Sequence, residues 1–271
     1  IGVAMGITGT SVAKESADIV LTDDNFATIV AAVEEGRRVY DNLVKSLAFV
    51  LPTNLGLAFI LMYAVLFLPF DPVSKLLLLP VEPTQLLWIN LVAAVALALP
   101  LAFEAKEPNV MERPPRDPKA PILSRLVVRR TILASMLMTA GAVALFQWEY
   151  NLRPSEAREA LAEAQTMAVT TVIMFQIYYM LMSRSLHDPI RAIGYFSNPM
   201  VFLGVGITLA LQAAFIYAPP LQAIFGTAAL APSELALSAA TGLIVVPLIL
   251  VDKWLSRSRQ RRTRSTQAAP V

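Results

Sequence analysis

Hydrophobic positions dominate the chain after residue 45 and form six long runs separated by polar stretches. A run of about 20 apolar residues can cross the roughly 30 Å hydrocarbon core of a bilayer as a helix. A helix also pairs every backbone polar group internally, which a lipid environment requires. The predicted membrane helices are 46–68, 84–103, 127–148, 166–183, 199–218 and 236–254.

The first 38 residues follow a different pattern. Ile1–Met5 is a short apolar run, and Asp18–Asp24 is a second one with acidic ends, which is typical of a buried parallel strand. Ser11–Ala17 between them predicts a short helix, and Phe26 starts an apolar series at helical spacing. The order strand, helix, strand, helix predicts the closing units of a soluble α/β domain.

A charged helix is predicted to join this part to the first membrane span, because no Pro or Gly/Ser linker separates them. Glu34 and Arg38, and likewise Asp41 and Lys45, are spaced four residues apart in the favourable orientation for helical ion pairs. Gly36 is the weakest point of such a helix. We expect a rigid lever that enters the bilayer; the alternative is a charged surface helix that adjoins the span without a mechanical role.

Composition supports a membrane protein. Hydrophobic residues make up 56% of the 271 residues and charged residues 15%, against about 25% charged in soluble domains. The chain has no cysteine, which excludes disulfides, thiolate metal sites and cysteine nucleophiles. The single histidine, His187, sits in a polar stretch, which disfavours a histidine-based zinc site or a Ser-His-Asp triad. It begins at Ile1 without a targeting pattern, so we expect a piece of a longer protein.

Basic residues predict the orientation of the spans. The loops after the second and fourth spans and the tail after the sixth are rich in Lys and Arg, whereas the other loops contain few. The positive-inside rule places the rich side, and with it both ends of the chain, in the cytoplasm. The stretch Arg257–Arg264 is typical of a topology determinant or a contact with anionic lipid, not of a nucleic-acid arm. We expect an integral protein of the plasma (inner) membrane and no nucleic-acid partner.

Several longer motifs resemble P-type cation-transporting ATPases of the calcium-pump and sodium-pump branch. Gly6–Ser11 lacks the Gly-Lys-Ser/Thr ending of a phosphate loop, which disfavours that interpretation. It is instead part of a series similar to the end of the family's phosphorylation domain: Ile1–Thr10, Ala13–Asp18 and Leu21–Phe26. Glu35–Arg37 and Tyr40–Asn42 resemble the stalk and the fifth membrane helix of that family. Leu86–Val92 resembles the sixth membrane helix, and Met111–Lys119 resembles the loop after it.

This resemblance implies a mainly α membrane protein. It would have six transmembrane helices preceded by the C-terminal end of an α/β, haloacid-dehalogenase-like phosphorylation domain. The implied divisions are residues 1–38 for that domain end, 39–255 for the stalk and membrane domain, and 256–271 for a basic cytoplasmic tail.

The resemblance also implies the activity. Family members transfer the γ-phosphate of ATP to an aspartate and move cations across the membrane. ATP and Mg²⁺ would be bound by upstream actuator, nucleotide and phosphorylation domains of the same protein, so no catalytic residue is assigned among these 271. The other expected partners are the transported cation and membrane lipids.

Polar side chains inside the spans are candidate ion ligands, because cations at membrane depth need oxygen ligands and buried amides in lipid are costly. Pro52 and Pro100 interrupt helical bonding and would free the carbonyls of Ala48 and Ala96. The candidate pathway residues are Thr53, Asn54, Asn90 and Gln176, with the helix-breaking Pro52 and Pro100. The alternative for the amides is helix–helix hydrogen bonding. Tyr178 and Tyr179 are interpreted as packing residues or interface anchors.

The candidate pathway departs from the pattern of the calcium pumps. Leu57, the pair Ala93-Ala94 and Gln176 stand where those pumps have a glutamate, a Thr-Asp pair and a glutamate. Ca²⁺ without anionic ligands loses much hydration energy for little Coulomb return. The sequence therefore argues against two calcium sites and leaves the ion unassigned.

The missing carboxylates leave other functions open. One is a pump-like structural or regulatory membrane subunit without transport. A passive channel ranks lower, because the helices carry isolated amides instead of continuous polar stripes.

Overall fold

The computed structural model describes residues 1–70, 77–117, 119, 121–152, 157–185, 194 and 196–255. His187 and the basic stretch Arg257–Arg264 lie outside them. In chain order the elements are β1 (Val3–Met5), α1 (Ser11–Ser16), β2 (Ile19–Leu21), α2 (Ala27–Phe67), α3 (Pro83–Val92), a π-helical segment (Ala93–Ala98), α4 (Leu99–Ala102), α5 (Arg125–Leu152), α6 (Ala157–Ser183), α7 (Pro199–Tyr217), α8 (Pro219–Phe225), α9 (Pro232–Leu243) and α10 (245–255).

All six predicted membrane helices are confirmed as helices long and apolar enough to span a bilayer. They are Ala27–Phe67, Pro83–Ala102, Arg125–Leu152, Glu159–Ser183, Pro199–Tyr217 and Pro232–Leu255. The second is not uniform, since α3, the π-helical segment and α4 follow one another within it. π-Helical segments inside α-helices are rare, and those that occur often lie at functional sites.

Helix α6 lies at the centre of the bundle, where it contacts α2, α5, α7, α9 and the π-helical segment. In its apolar window 78% of the residues are buried, against 22–56% in the other five spans. Small residues such as Ala164 and Ala168 on α6, both fully buried, allow this close packing. A residue on α6 can therefore contact several spans at once.

The N-terminal unit has the predicted order of strand, helix, strand and helix. β1 and β2 pair in parallel, with Val3 opposite Ile19, and the Thr10 hydroxyl caps α1 by accepting the Ala13 N–H at 3.2 Å. The expected burial of the second strand is wrong for most of it, since Ile19 and Val20 are 43% and 40% exposed. The reason is that two strands and a six-residue helix supply too little surface to cover both faces of the sheet.

The glycine-containing loop after β1 is filled by a carboxylate of the chain itself. Asp24 accepts the backbone N–H groups of Ile7 and Thr8, both at 2.8 Å, and the Thr8 hydroxyl at 2.7 Å. These bonds hold Asp24 in the left-handed region, at φ +51°. They also lower the pKa of Asp24, the Ile7 N–H contributing most. The donors that a phosphate would need are thus engaged, in line with the rejected phosphate-loop interpretation.

Helix α2 runs without interruption for 41 residues through Gly36 and Pro52, which confirms the predicted continuity of the helix into the first span; its role as a lever stays a prediction. The predicted ion pairs at four-residue spacing along it are wrong. Arg38 pairs with Glu35 at 3.2 Å. Glu34, Asp41 and Lys45 instead pair with Lys106, Arg113 and Glu107 on the segment after α4. A fixed partner on a neighbouring segment orders these side chains better than a flexible neighbour on the same solvated helix face.

Candidate functional site: a proline break and a polar junction

The proline break, which we define as residues 48–54 of α2, is held by side chains of two neighbouring helices. Pro52 has no N–H for the carbonyl of Ala48. The Tyr179 hydroxyl of α6 donates to that carbonyl oxygen at 3.0 Å. Tyr179 is only 3% exposed and its ring stacks on Phe49 of α2, with centroids 6.4 Å apart. The Ala48 carbonyl, expected to be free for a cation, is therefore already bound.

Helix α5 holds the other side of the break. The Ser135 hydroxyl lies 2.9 Å from the carbonyl oxygen of Pro52, and the Thr139 hydroxyl lies 3.1 Å from that of Gly56. Ser135 also lies 2.6 Å from the Thr131 carbonyl in its own helix, so its single proton is shared between two acceptors. The break is thus fixed by neutral hydrogen bonds on two sides.

The two polar residues that follow Pro52 point in different directions. Thr53 is buried, and its hydroxyl returns to the carbonyl of Val50 at 2.9 Å. Asn54 is exposed on the surface of the described bundle, and its Nδ2 donates to the same carbonyl at 3.0 Å. That bond anchors the amide and leaves Oδ1 without a partner among the described residues. Asn54 Oδ1 can accept a ligand from outside this bundle.

The second span offers a half-buried amide next to a distorted helix. The side-chain amide of Asn90 makes no hydrogen bond within the described residues, and the π-helical segment begins three residues later. Pro100 was expected to free the carbonyl of Ala96. That carbonyl packs against Gly204 of α7, where a Cβ would overlap it. The Pro100 carbonyl accepts from Asn198 Nδ2 at 2.8 Å.

Gln176 is fully buried at the centre of the bundle. Neither its Oε1 nor its Nε2 has a hydrogen-bond partner within the described residues. A buried amide without partners costs roughly 1–3 kcal/mol by protein mutational data. An intramembrane polar residue of this kind is a functional-site candidate.

The predicted pathway residues lie on helices that pack together, but they do not form one cluster. α2, α6 and the π-helical segment contact one another. Within the described residues no hydrogen bond joins Thr53, Asn54, Asn90 and Gln176 to each other, and no group of three or more Asp, Glu or His side chains is placed to hold a metal ion. Leu57 is 4% exposed and belongs to the apolar core.

The second part of the site is the junction, which we define as the first half of α2 with segment 103–117. Lys45, 1% exposed, lies 3.5 Å from a carboxylate oxygen of Glu107, which is 4% exposed. Arg113 binds Glu107 and also Asp41, the latter at 2.8 Å. Burial lowers the pKa of Arg113, but these two carboxylates outweigh it and raise the pKa above its ordinary value. The junction is a connected set of opposite charges.

Side chains of α2 also bind backbone carbonyls at the end of α4 and in the segment that follows it. Asn42 Nδ2 donates to the carbonyls of Ala102 and Glu104, at 3.1 and 2.9 Å. Arg37 Nη1 donates to the carbonyls of Val110 and Arg113, at 2.9 and 2.8 Å. The backbone after the second span is thereby attached to α2.

A buried ion pair extends the junction to α6 and α7. Glu104 is 0% exposed and Arg184, just beyond α6, is 1% exposed; their closest contact is 2.8 Å. Asn198, at the start of α7, donates to the same carboxylate at 3.1 Å, and Ser197 lies 3.3 Å from it. Four spans therefore meet at one carboxylate and its neighbours.

Sequence reasoning missed Ser135, the junction pairs Lys45–Glu107 and Glu104–Arg184, and the hydrogen bond of Tyr179. Tyr179 does pack, as expected, but it is too deeply buried to be an interface anchor. The one usable signal was Pro52, because a freed carbonyl in lipid demands a donor and hydroxyls on other spans are the available ones.

Comparison with known proteins agrees with this architecture. Residues 78–255 match the family model described as cation transporting ATPase, C-terminus. The chain is 46% identical over 228 residues to the "Probable cation-transporting ATPase F" of Mycobacterium tuberculosis, covering 84% of this chain and 24% of that protein. It is 36% identical over 261 residues to the calcium-transporting ATPase of Bacillus subtilis, covering 96% and 28%. The cation-transporting ATPase pma1 of Synechocystis is 34% identical over 263 residues, covering 94% and 27%.

The chain spans about a quarter of the length of the curated relatives it matches. The family model covers more than half of the chain, including five of the six membrane-length helices. This chain is an integral membrane protein that belongs to the P-type cation-transporting ATPase family and matches the C-terminal membrane region of its members.

Proposed function

We propose that this chain is the membrane part of an ATP-driven P-type cation pump, forming part of the ion pathway and coupling it to the phosphorylation domain. The observation that carries the proposal is helix α2, which leads from the β1–β2 unit through the whole bundle without interruption. Its 41 residues correspond to about 60 Å at 1.5 Å per residue. One rigid element thus connects a soluble α/β unit with the proline break.

The junction gives α2 a way to move other spans. Its ion pairs and carbonyl caps attach the first half of α2 to segment 103–117, which directly follows α4. Glu104 in that segment is in turn bound to α6 and α7. A tilt of α2 driven from the soluble side would therefore displace the π-helical span and α7 together.

The division of the chain follows from the same proposal. Residues 1–38 would be the end of the phosphorylation domain, and the exposed Ile19 and Val20 suit a sheet that continues with further strands. ATP and Mg²⁺ would be bound by the actuator, nucleotide and phosphorylation domains of the complete protein. Residues 39–255 would be stalk and membrane domain, and 256–271 a cytoplasmic tail. The basic loops support cytoplasmic ends in a plasma membrane.

The ligands we assign to this chain are neutral: Asn54 Oδ1, the amide of Asn90, the amide of Gln176 and, with a weaker claim, the Thr53 hydroxyl. Carboxylate ligands, if the pump uses them, would come from residues outside these 271, because the position of Leu57 is apolar and buried. This supports a pathway with fewer anionic ligands than a pump with two calcium sites needs. The ion itself stays unassigned.

The test is ATP hydrolysis by the complete gene product that carries this chain. Purified and reconstituted, it is expected to show ATPase activity that vanadate inhibits and that one cation of a panel (Ca²⁺, Mn²⁺, Na⁺, K⁺) stimulates. Absence of stimulation by every cation, in a preparation that still binds ATP, would refute the pump. The alternative of a subunit without transport has no support from the relatives, which are named as transporters.

A second measurement separates ligands from packing residues. Asn90→Ala is expected to raise the cation concentration for half-maximal ATPase activity. Gln147→Ala is the matched control, because this amide makes a helix–helix bond to the Tyr63 hydroxyl at 3.3 Å in another part of the bundle. Equal cation dependence in the two variants would show that Asn90 only packs.

A further inference from the structure

We propose that Tyr179 is a positioning residue, which takes the hydrogen-bonding place of the N–H that Pro52 lacks and so sets the bend of α2 ahead of the ion-pathway residues. The proposal rests on the proposed function for its transport consequence, but not for its structural one. It assigns Tyr179 no contact with the cation.

The first argument is complementarity between an unpaired acceptor and a buried donor. A carbonyl left without a partner in lipid costs several kcal/mol as an order of magnitude. The Tyr179 hydroxyl satisfies the Ala48 carbonyl at 3.0 Å from a site that is 3% exposed. The phenol in turn needs an acceptor when it is buried. Each group supplies what the other lacks.

The second argument is that the phenol has little freedom. Its ring stacks between Phe49 of α2 and Phe175 of α6, with centroid separations of 6.4 and 6.0 Å. Two aromatic neighbours restrict the ring, so the hydroxyl points in a defined direction. A fixed donor sets the position of the carbonyl it binds, and hence the path of α2 at the break.

The third argument is the place of the bond relative to the pathway. Thr53 and Asn54 directly follow the break, so their directions depend on its bend. Gln176 lies three residues before Tyr179 on α6, and residues at that spacing share a helix face. The hydrogen bond therefore joins the face that carries the unpaired amide to the helix that carries Asn54.

The structural test measures the bend of α2 directly. These 271 residues contain no cysteine. In the complete gene product, with any cysteine outside them replaced by serine, Val39→Cys and Val65→Cys introduce two spin labels at positions that are 58% and 66% exposed. The labels lie on either side of Pro52, about 39 Å apart at 1.5 Å per residue. In lipid nanodiscs, Tyr179→Phe is expected to broaden and shift the distance distribution, while Tyr178→Phe leaves it unchanged. An unchanged distribution in Tyr179→Phe overturns the proposal.

A double-mutant comparison tests whether Tyr179 acts through the carbonyl that Pro52 leaves unpaired. Pro52→Ala restores an N–H that can bind the Ala48 carbonyl within the helix, so in that background Tyr179→Phe is expected to have no further effect on the distance. If Tyr179→Phe shifts the distance equally with Pro52 and with Ala at this position, the phenol acts through another contact and the proposal is wrong.

The transport consequence is read in the complete gene product. Losing a hydrogen bond of ordinary net strength corresponds to an increase of about five-fold in the cation concentration for half-maximal ATPase activity, with a smaller change in maximal rate. Pro52→Ala is expected to suppress this increase. A parent protein without cation-stimulated activity would refute the pump and leave the distance experiment intact. A normal cation dependence in Tyr179→Phe, together with a shifted distance, would refute the positioning role.

Discussion

The junction and the proline break hold the same helix by opposite means. At the junction α2 is attached by charges: Lys45 to Glu107 and Asp41 to Arg113. At the break it is attached by the neutral hydroxyls of Tyr179 and Ser135. The difference matches their order along the chain, because the break lies inside the predicted span 46–68, where a charge costs up to about 2.5–3.5 kcal/mol on insertion scales, and the junction charges lie outside the predicted spans. Charged pairing therefore attaches α2 before the predicted span, and neutral pairing attaches it inside the span.

This arrangement has a consequence for transport. A fixed cationic side chain beside the pathway would repel a transported cation, whereas a carboxylate would bind it more tightly than a neutral oxygen does. Within the described residues, the candidate pathway side chains are neutral: Thr53, Asn54, Asn90 and Gln176. Ion selectivity and release would then depend on geometry at the break, and the junction would alter that geometry from a distance.

The largest expected effect is the loss of the buried ion pair between Glu104 and Arg184, which extends the junction. Arg184→Ala leaves Glu104, which is 0% exposed, without its cation. Breaking a buried pair from one side costs about 3–5 kcal/mol. We expect a marked fall in thermal stability in detergent, followed by circular dichroism. The control is Lys106→Ala, which removes an exposed pair with Glu34 and is expected to cost about 0–1 kcal/mol. Equal losses of thermal stability in the two variants would contradict the expectation that the buried ion pair contributes more than the exposed one.

The second-largest effect is expected for the close packing between α7 and the second span. A Cβ on Gly204 would overlap the carbonyl oxygen of Ala96, and overpacking of this kind costs about 1–3 kcal/mol. Gly204→Ala is expected to lower the thermal stability by that amount. Gly206→Ala, where a Cβ would meet nothing within 4 Å, is expected to be neutral or slightly stabilising. A stable Gly204→Ala variant would show that α7 and the second span are not in close contact.

A smaller effect is expected for the neutral bonds of the break. Ser135→Ala removes the hydroxyl that reaches the Pro52 carbonyl and is expected to cost about 1 kcal/mol, measured by the same thermal assay. Thr171→Val removes a buried hydroxyl whose hydrogen bond, within the described residues, goes to the Met167 carbonyl of its own helix. Its cost should be lower. If it equals that of Ser135→Ala, the link between α5 and the break contributes nothing.

The smallest effect concerns the soluble unit and pH. The pKa of Asp24 is lowered by the N–H of Ile7 and the hydroxyl of Thr8. A lowered pKa contributes stability above the ordinary carboxyl value, and this is lost as pH falls through the folded value. Amide exchange at Ile7 and Thr8 is therefore expected to accelerate, relative to other amides of the unit, only on acidification below about pH 4. Asp24→Asn should remove this pH dependence.

Much of the fold could be predicted from the sequence. The lengths of the six apolar runs predict six spanning helices. The reason is that lipid offers no hydrogen-bonding partners, and a helix pairs its backbone polar groups internally. Pro52 in a span likewise predicts an unpaired carbonyl. The partner of that carbonyl could not be predicted, since Tyr179 lies 131 positions away and pairing at that range depends on how the spans pack.

The ion pairs of α2 show the same limit. The four-residue spacing of Glu34 with Arg38 and of Asp41 with Lys45 is a local signal, and it predicted local pairs. The structure instead pairs Asp41 and Lys45 across some 60 to 70 residues, with Arg113 and Glu107. The four-residue spacing rule describes an isolated helix in water. It does not take into account a segment distant in sequence, such as 103–117, that packs against the helix.

By itself, the sequence determined the membrane class, the number of spans, the continuous helix from the β1–β2 unit into the first span and the uncharged character of the candidate pathway residues. Those properties depend on local composition and on the energetics of lipid as a solvent. Only the tertiary structure decided which carbonyl meets which hydroxyl, that Gln176 has no partner within the described residues, and that Glu104 joins several spans. Such pairings arise when distant segments pack, and one-dimensional spacing does not specify them.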